Sequence, residues 1–593
     1  MCGIVGYIGS QNARDIIVHG LERLEYRGYD SAGLTVYNKD NQIFDVYKDV
    51  GRVSILSKST HNILSSIGIG HTRWATHGKV TTLNAHPHKS TTGRFLIVHN
   101  GVIENFIQLK EQYLKDHAFI SETDTEVIAH LIEGFSSYMD VENSILTTLK
   151  LLKGSYALLI IDTLNKDTIY AAKNKPPLLV GKSSDGITIT SDVLALAGYA
   201  TSYHVLEDKT FVVANQDKVK FYNYDHVEIT VKFDVLKMDV AMTEKGNYDH
   251  FMLKEINEQP GVIRKIISKY FDNYTIKLNK SLIKSIEAAN RIYILAAGTS
   301  MHAGLVGKNL LEKLINKPVE VHIASEFAYS DPILDPNPFF ILISQSGETA
   351  DLRACLIKLK TLKYKTLTIT NVITSTLARE ADYALEIFAG PEIAVASTKA
   401  YIAQIAVLTI IGYEISSKEF DLKLELSKVA QAIENFLSDM SNLDGLVVKY
   451  FRKPHAFYIG RGIDYATALE AALKLKEISY IHTEGFAAGE LKHGTIALIE
   501  EGTPVVALIS DEKISLNTRS NLHEVKSRGA IPIIITLESL KQKGDDIILD
   551  DVHHLLTPIL MVVPTQMIAY YAALNLGYDI DKPRNLAKSV TVE

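Results

Sequence analysis

PFFILISQSGETADLRACLIKL, residues 338–359, is the stretch whose reading decides the fold. Phe339 to Ile343 is a short apolar run of the kind that a strand buried on both faces requires. The polar turn Ser344-Gln345-Ser346-Gly347-Glu348-Thr349 follows, and helical spacing resumes from Ala350 to Leu362. Working outward, RIYILAAG (291–298), PVEVHIA (318–324) and TLTITN (366–371) are each followed by a helical pattern. Strands alternating with helices predict βα units around a parallel sheet. The same module recurs. RIYILAAGTS (291–300) matches AFYIGRGIDY (456–465), and residues 338–359 match TPVVALISDEKISLNTRSNLHEV (503–525), with offsets of 165 at Ile294/Ile459 and 166 at Ile343/Ile509. A βα-type module is therefore expected twice.

The turn at 344–349 is a candidate phosphate site. A helix N-terminus offers free N–H groups and partial positive charge, a glycine lets the backbone approach, and three hydroxyls add donors. The junction Ala297-Gly298-Thr299-Ser300 faces the same end of the predicted sheet, where ligands of such folds bind. In the second copy the turn has become Ser510-Asp511-Glu512-Lys513-Ile514-Ser515, so a shared fold without a shared ligand site is expected. There is no GxxxxGK[ST], and Gly460-Arg461-Gly462 meets Tyr465 where a dinucleotide fingerprint needs Gly or Ala, so neither an ATPase nor an NAD enzyme is indicated. Val395-Ala396-Ser397-Thr398-Lys399 leads into an apolar helix over Ala400–Glu414. Glu470, Lys474 and Glu477 share one face of a helix over Ala468–Ser479, and spacing alone predicts a solvated, salt-bridged face. His482, Glu484 and Glu490-Leu491-Lys492-His493-Gly494 follow it.

Bulk properties set limits on all of this. A chain of 593 residues exceeds one core and predicts two to four domains, with 46% apolar and 22% charged residues. A net charge of −7 gives no electrostatic reason to expect nucleic acid or an anionic membrane as partner. The only cysteines are Cys2 and Cys355, which excludes a disulfide framework. No signal peptide is recognisable. The charge-free run Leu555–Tyr578 is broken by Pro558, Pro564, Thr565, Gln566 and Asn575, and it reads as buried strand, turn and helix rather than a membrane span. A soluble cytoplasmic protein is expected.

Residues 1 to about 240 have a different texture. Strands are predicted over 3–8, 31–38, 67–74, 95–103, 156–162, 168–172, 178–181, 186–190 and 210–214, and helices over 11–26, 104–115 and 123–136, giving antiparallel sheets with helices outside. Residues 245–290 read as a polar, helical connector. At the front of the chain, Met1 is followed by Cys2 and an apolar strand. With Met1 removed, Cys2 carries its own base, because an α-amino group titrates near ~8 and a thiol near ~8.5. Histidines cluster at His71-Thr72-Arg73-Trp74-Ala75-Thr76-His77-Gly78, Asn84-Ala85-His86-Pro87-His88 and His99-Asn100-Gly101. Their spacing fits no common closed zinc site, and no metal is predicted. Asn100-Gly101, read as a strand end, offers a side-chain amide and a backbone N–H, the donor pair of an oxyanion hole.

These residues resemble the glutamine–fructose-6-phosphate aminotransferase (isomerising) family, also called glucosamine-6-phosphate synthases. MetCysGlyIleValGly, GluTyrArgGlyTyrAspSerAlaGly, HisThrArgTrpAlaThrHisGly, AsnAlaHisProHis, HisAsnGlyValIleGluAsn and SerGluThrAspThrGlu look like its glutaminase domain. SerGlnSerGlyGluThr, ValAlaSerThrLys, LysLeuLysGluIleSerTyrIleHis, GluLeuLysHisGly and the terminal ProArgAsnLeuAlaLysSerValThrValGlu look like its two sugar isomerase (SIS) modules and tail. The likeness runs in order from Cys2 to Glu593.

The resemblance implies an N-terminal Ntn-hydrolase αββα glutaminase sandwich at 2–240 and a connector at 241–282. It implies doubly wound parallel-sheet SIS modules at 283–425 and 445–583, then a catalytic tail at 584–593. It implies that Cys2 attacks the glutamine amide and that Asn100 and Gly101 hold the oxyanion. Arg73 and Asp124 would bind the glutamine carboxylate and ammonium, with Thr76, His77 and His86 shaping the pocket and Trp74 gating the passage of ammonia. Gly298, Thr299, Ser300, Ser344, Gln345, Ser346 and Thr349 would bind the sugar phosphate, with Val395, Ser397 and Lys474 lining the site. His493, supplied by a neighbouring subunit of a homodimer, would open the sugar ring. Lys588 would form a Schiff base with the ketose, and Glu477 would move the proton between C1 and C2. No cofactor is needed, because the imine acidifies the C1 proton enough for a carboxylate to carry it. Ala297 and Thr495 depart from common family residues, and neither change removes a catalytic group. A phosphoribosyl-transferring amidotransferase would lack the duplicated sugar modules and the Lys588 tail. A phosphosugar-sensing regulator would need a DNA-binding unit, and a deglycosylating relative would be expected to lack Cys2, Arg73 or Asp124.

Overall fold

The computed structural model describes residues 2–75, 77–236, 244–273, 275–440 and 442–590. The chain divides into two compact units, 1–244 with 589–593, and 245–588.

In the first unit an eight-stranded and a six-stranded sheet stack face to face. Strand Gly3–Gly9 lies inside the larger sheet, antiparallel to Gly186–Thr190 and to Ile67–Arg73. Strand Phe95–Ile103 pairs antiparallel with Gly154–Asp162 in the smaller one. The period-2 alternation of a strand decides the layers. Ile4, Ile8 and Ile69 meet Leu96, Val98 and Leu159 between the sheets. Val5 and Tyr7 face the other way, against Ile16, Ile17 and Leu21 of helix Ala13–Leu24. Phe95 and Ile97 pack beneath helices Glu126–Phe135 and Val141–Leu151. The result is a helix–sheet–sheet–helix sandwich.

The buried strands fall within a residue or two of expectation, and the edges do not. Strands Ile43–Val50, Ser202–Val205 and Val219–Asn223 and helices Val53–Ser59 and Val141–Leu151 were not anticipated. Ile43–Val50 is an edge strand carrying Asp45, Lys48 and Asp49, so no apolar run marks it. Asn100 and Gly101 lie inside Phe95–Ile103 rather than at its end.

In the second unit, lead-in helices Phe251–Asn257, Gln259–Tyr270 and Lys280–Ala288 precede two five-stranded parallel sheets. Both sheets have the same strand order. In the first, Arg291–Ala296 lies between Val319–Ile323 and Pro338–Ser344, followed by Lys365–Thr370 and Tyr383–Glu386. In the second, His455–Gly460 lies between His482–Ala487 and Pro504–Ile509, followed by Ile531–Leu537 and Ile547–Leu549. The repeat read in the sequence is thus a repeat of topology.

One core joins both modules. Its central helices are Lys399–Ile415, Ile463–Ser479 and Thr557–Asn575. Thr557–Asn575 corrects the strand-and-turn expectation for this region: Pro558 occupies its first turn, where a missing N–H costs nothing, and Pro564 lies inside it. It is long and apolar enough to cross a membrane, but 89% of its most apolar window is buried in the fold.

Candidate functional sites

Each unit brings a set of the expected residues together. In the first, antiparallel pairing sets Gly3 opposite Thr72, which places Cys2 beside the end of Ile67–Arg73. The Trp74 N–H donates to Cys2 Sγ at 3.3 Å, and Thr72 Oγ1 accepts the Gly3 N–H at 3.1 Å. From the other sheet, the Asn100 amide donates to the Cys2 carbonyl at 3.0 Å. Gly101 follows with φ +132°, and a Cβ there would lie 2.0 Å from the Ser155 carbonyl oxygen, so only glycine fits. Burial pushes the Cys2 thiol up, while the Trp74 N–H and Arg73 pull it back. The thiol therefore needs a base to become a nucleophile.

Around the cysteine the polar groups are largely committed to the loop after Arg73. Its guanidinium donates to the carbonyls of His77, Gly78 (3.1 Å) and Lys79 (3.2 Å). Asp30 accepts the Ala75 N–H at 2.9 Å, and Asp124 accepts the Ile103 N–H at 2.7 Å. Trp74 meets Tyr29 edge-on at 6.3 Å, and His77 meets Phe106 edge-on at 5.9 Å. Thr76 lies outside the described residues.

The clustered histidines are a packed stack. His86 lies over His71 at 4.0 Å, and His71 Nε2 reaches the His99 carbonyl at 3.0 Å. His99 Nδ1 meets Thr125 Oγ1 at 2.8 Å, and His88 Nε2 meets Thr123 Oγ1 at 3.2 Å. Burial drives His71 down to about 3 and lowers His86, His88 and His99 as well, so the stack stays uncharged at neutral pH.

In the second unit the turn at 344–349 folds on its own hydroxyls. Ser344 Oγ accepts the Gly347 N–H at 3.0 Å and meets Thr349 Oγ1 at 2.9 Å, and Ser346 Oγ accepts the Glu348 N–H at 3.2 Å. Thr349 stands at the N-cap of Ala350–Thr361 without turning its side chain onto the helix, so the first-turn N–H groups keep their pull on an anion. The Gln345 carbonyl accepts the Asn371 N–H at 3.0 Å. At the neighbouring junction Gly298 takes φ +54° and opens helix Gly298–Ile315.

Gly347 has φ +66°, and a Cβ there would sit 1.9 Å from Ser375 Oγ. Gly347→Ala is therefore expected to distort the turn and weaken binding of a phosphate-bearing ligand about tenfold or more, roughly 1.4 kcal/mol. Competition against inorganic phosphate measures this, and unchanged affinity would remove the turn from the site.

The matching turn of the second module is closed. The Asp511 carboxylate accepts the Lys513 N–H at 3.0 Å, capping helix Glu512–Lys526 from within. A negative charge occupies the place an anion would take.

The helix carrying Glu470, Lys474 and Glu477 starts earlier than expected, at Ile463, and its shared face is not solvated. Glu470 and Lys474 are 0% and 1% exposed, because helix Gly298–Ile315 of the first module covers them. Glu470 accepts from Thr299 Oγ1 at 3.0 Å and meets His302 Nδ1 at 2.8 Å. Lys474 pairs with Glu477 and lies 3.5 Å from Glu470. Burial opposes the Lys474 charge, but Glu477 and Glu470 more than offset it and raise the lysine above its usual range. Ser300 Oγ accepts from Gln404 at 3.0 Å.

A residue the sequence reading missed holds the centre. Glu392, 3% exposed, accepts from Ser397 Oγ at 2.8 Å, the N–H groups of Thr398 (2.9 Å) and Ala400 (3.0 Å), and Lys588 Nζ at 2.6 Å. Burial pushes its carboxyl up, yet Lys588 and these donors hold it down at about 2. The Lys588 side chain is 2% exposed, and the segment leading into the tail is pinned where the Asp581 carbonyl accepts the Val395 N–H at 2.9 Å. The signal available in the sequence was Gly390-Pro391-Glu392, a lone acid in an otherwise apolar loop. His493 is not brought to this cluster. It is exposed on the short turn Glu490–His493, with no hydrogen bond or ion pair among the described residues.

Comparison with known proteins agrees with this division. Residues 57–247 match the glutamine amidotransferase domain, and residues 285–411 and 449–576 each match the SIS domain. The chain is 53% identical to the glutamine–fructose-6-phosphate aminotransferase [isomerizing] of Listeria monocytogenes and 52% identical to that of Staphylococcus aureus, over 100% of both chains in each case. Among solved structures, the C-terminal domain of glucosamine-fructose-6-phosphate aminotransferase from Francisella tularensis matches with a TM-score of 0.55 and 36% identity, covering 57% of this chain and 99% of that one.

Proposed function

The chain belongs to the glutamine–fructose-6-phosphate aminotransferase (isomerising) family, and we propose that it converts fructose 6-phosphate and glutamine into glucosamine 6-phosphate and glutamate. The observation that carries the reading is the buried Lys588–Glu392 pair, with the Ser397 hydroxyl on the same carboxylate.

In the first unit Cys2 Sγ adds to the glutamine side-chain carbonyl while its proton passes to the α-amino group of Cys2, freed by removal of Met1. The tetrahedral oxyanion is held by the second N–H of the Asn100 amide and by the Gly101 backbone. Ammonia leaves, and water releases glutamate from the thioester. Arg73 gives up loop carbonyls for the glutamine carboxylate, Asp124 receives the ammonium, and His77 and His86 bound the pocket.

In the second unit Ser300, Ser344, Gln345, Ser346 and Thr349 hold the phosphate. The neutral Lys588 amine adds to C2 of the open ketose, water leaves, and an imine forms. Ammonia then takes the place of the lysine at C2. Glu477 removes a proton from C1 and returns one to C2, which leaves an aldose bearing an amine. The exposed, unengaged His493 supports a homodimer in which a second copy of the chain receives it to open the sugar ring.

The test is incubation of the purified chain with both substrates, measuring glutamate and glucosamine 6-phosphate together. Equal yields are expected. Glutamate without amino sugar would overturn the reading.

A further inference from the structure

The carboxyl of Glu255 has no part in the chemistry above, yet it holds the loop whose Glu392 pairs with Lys588. Glu255 lies on helix Phe251–Asn257 and is 1% exposed. Its Oε1 accepts the N–H groups of Ile393 and Ala394, the two residues after Glu392. Its Oε2 is sealed from solvent without a hydrogen-bond partner. The helix is tied at its other end to the segment leading into the tail, where the Asp581 carboxylate accepts the N–H groups of Phe251 and Met252, both at 2.9 Å. The loop at 392–398 is thus held between a carboxyl on this helix and the Lys588 ammonium on the tail.

An ionised carboxylate pays heavily for an oxygen without donors in a dry interior, whereas a neutral carboxyl carries its proton there at lower cost. In keeping with this, burial and the nearby Glu392 charge push Glu255 up to about 8, against the pull of Lys588 and Lys399. The charged groups acting on it are Glu392 on the loop, Lys588 on the tail, and Lys399 at the start of Lys399–Ile415, itself paired with Glu258 at 2.6 Å.

We propose that Glu255 is a positioning residue for Lys588: as a neutral acid it fixes the loop carrying Glu392 and leaves Lys588 facing one carboxylate, and its ionisation adds a second negative charge that keeps Lys588 an ammonium. The inference rests on the reading that Lys588 condenses with the open ketose. In that step a proton leaves the ammonium for water, Nζ adds to C2, and the carbinolamine loses water to form C=N. A charge that retains the first proton slows everything after it.

Trapping tests this on the full chain, with fructose 6-phosphate, no glutamine, and cyanoborohydride to reduce the C=N bond to a stable amine. Adduct at Lys588 is followed by peptide mass from pH 6.5 to 9.5. Glu255→Gln is expected to trap several-fold faster than wild type at pH 9, where the wild-type carboxyl is ionised, and at the wild-type rate at pH 6.5. Glu255→Ala, which frees the N–H groups of Ile393 and Ala394, is expected to lower trapping about tenfold at every pH. Superimposable wild-type and Glu255→Gln profiles would overturn the proposal, as would wild-type trapping in a folded Glu255→Ala. If Glu255→Ala fails to fold, the Glu255→Gln profile decides alone. No adduct in the wild type would instead sink the Lys588 reading and this inference with it.

Discussion

Lys588→Ala is expected to abolish glucosamine 6-phosphate formation, by about 10³-fold or more, while glutamine hydrolysis persists. The two other buried lysines of this core hold carboxylates of their own, Lys474 those of Glu477 and Glu470 and Lys399 that of Glu258. The variant also strands Glu392, whose remaining donors are the Ser397 hydroxyl and two backbone N–H groups. Removing one partner of a buried ion pair costs about 3–5 kcal/mol.

The pH dependence separates the two effects. With Lys588 in place Glu392 sits at about 2, below the ordinary carboxylate value of ~4.3. Its stabilisation is therefore full above ~4.3 and lost as pH falls toward 2. Without the lysine the unpaired carboxylate shifts upward, so stability falls as pH rises through the carboxylate range. Thermal melts of the two proteins between pH 4 and 8 should diverge with rising pH, and adding Glu392→Gln to Lys588→Ala should restore the melt without restoring synthesis. Equal loss of both half-reactions in Lys588→Ala would contradict the assignment.

The second large effect is expected at the other end of the chain. Cys2→Ala should remove glutamine-dependent synthesis by about 10³-fold or more, since the only other cysteine, Cys355, is buried in the second unit. Synthesis from added ammonia should survive, because the sugar residues are untouched. Intact mass of the active wild type should show that Met1 is gone. Glutamine turnover retained in Cys2→Ala would end the nucleophile assignment.

Much of this was readable from residues alone, for definable reasons. Ile341, Leu342 and Ile343 are buried on both faces of a parallel sheet, and such strands announce themselves as apolar runs. The repeat at 503–525 was visible because both copies keep that run and the helix after it. Spacing alone puts the face of Glu470, Lys474 and Glu477 in solvent, because it shows which residues are neighbours and not what covers them; Glu470 is covered by Thr299 and His302, about 170 residues away. Glu255 leaves no pattern, and Glu392 shows only as the lone acid of an apolar loop. A single acid in a loop or on a short helix has no periodicity, and its meaning comes from Lys588, Ile393 and Ala394, which only the fold delivers.

The self-capped turn of the second module has a consequence for stoichiometry. Where the first copy places Gly347 the second has Lys513, and the Asp511 carboxylate fills the helix start. On the proposed reading, two copies of one fold would give each chain a single phosphosugar seat. A duplicate without that seat would be free to serve as an arm, and its helix Ile463–Ser479 does bring Glu470 against Thr299 of the first module.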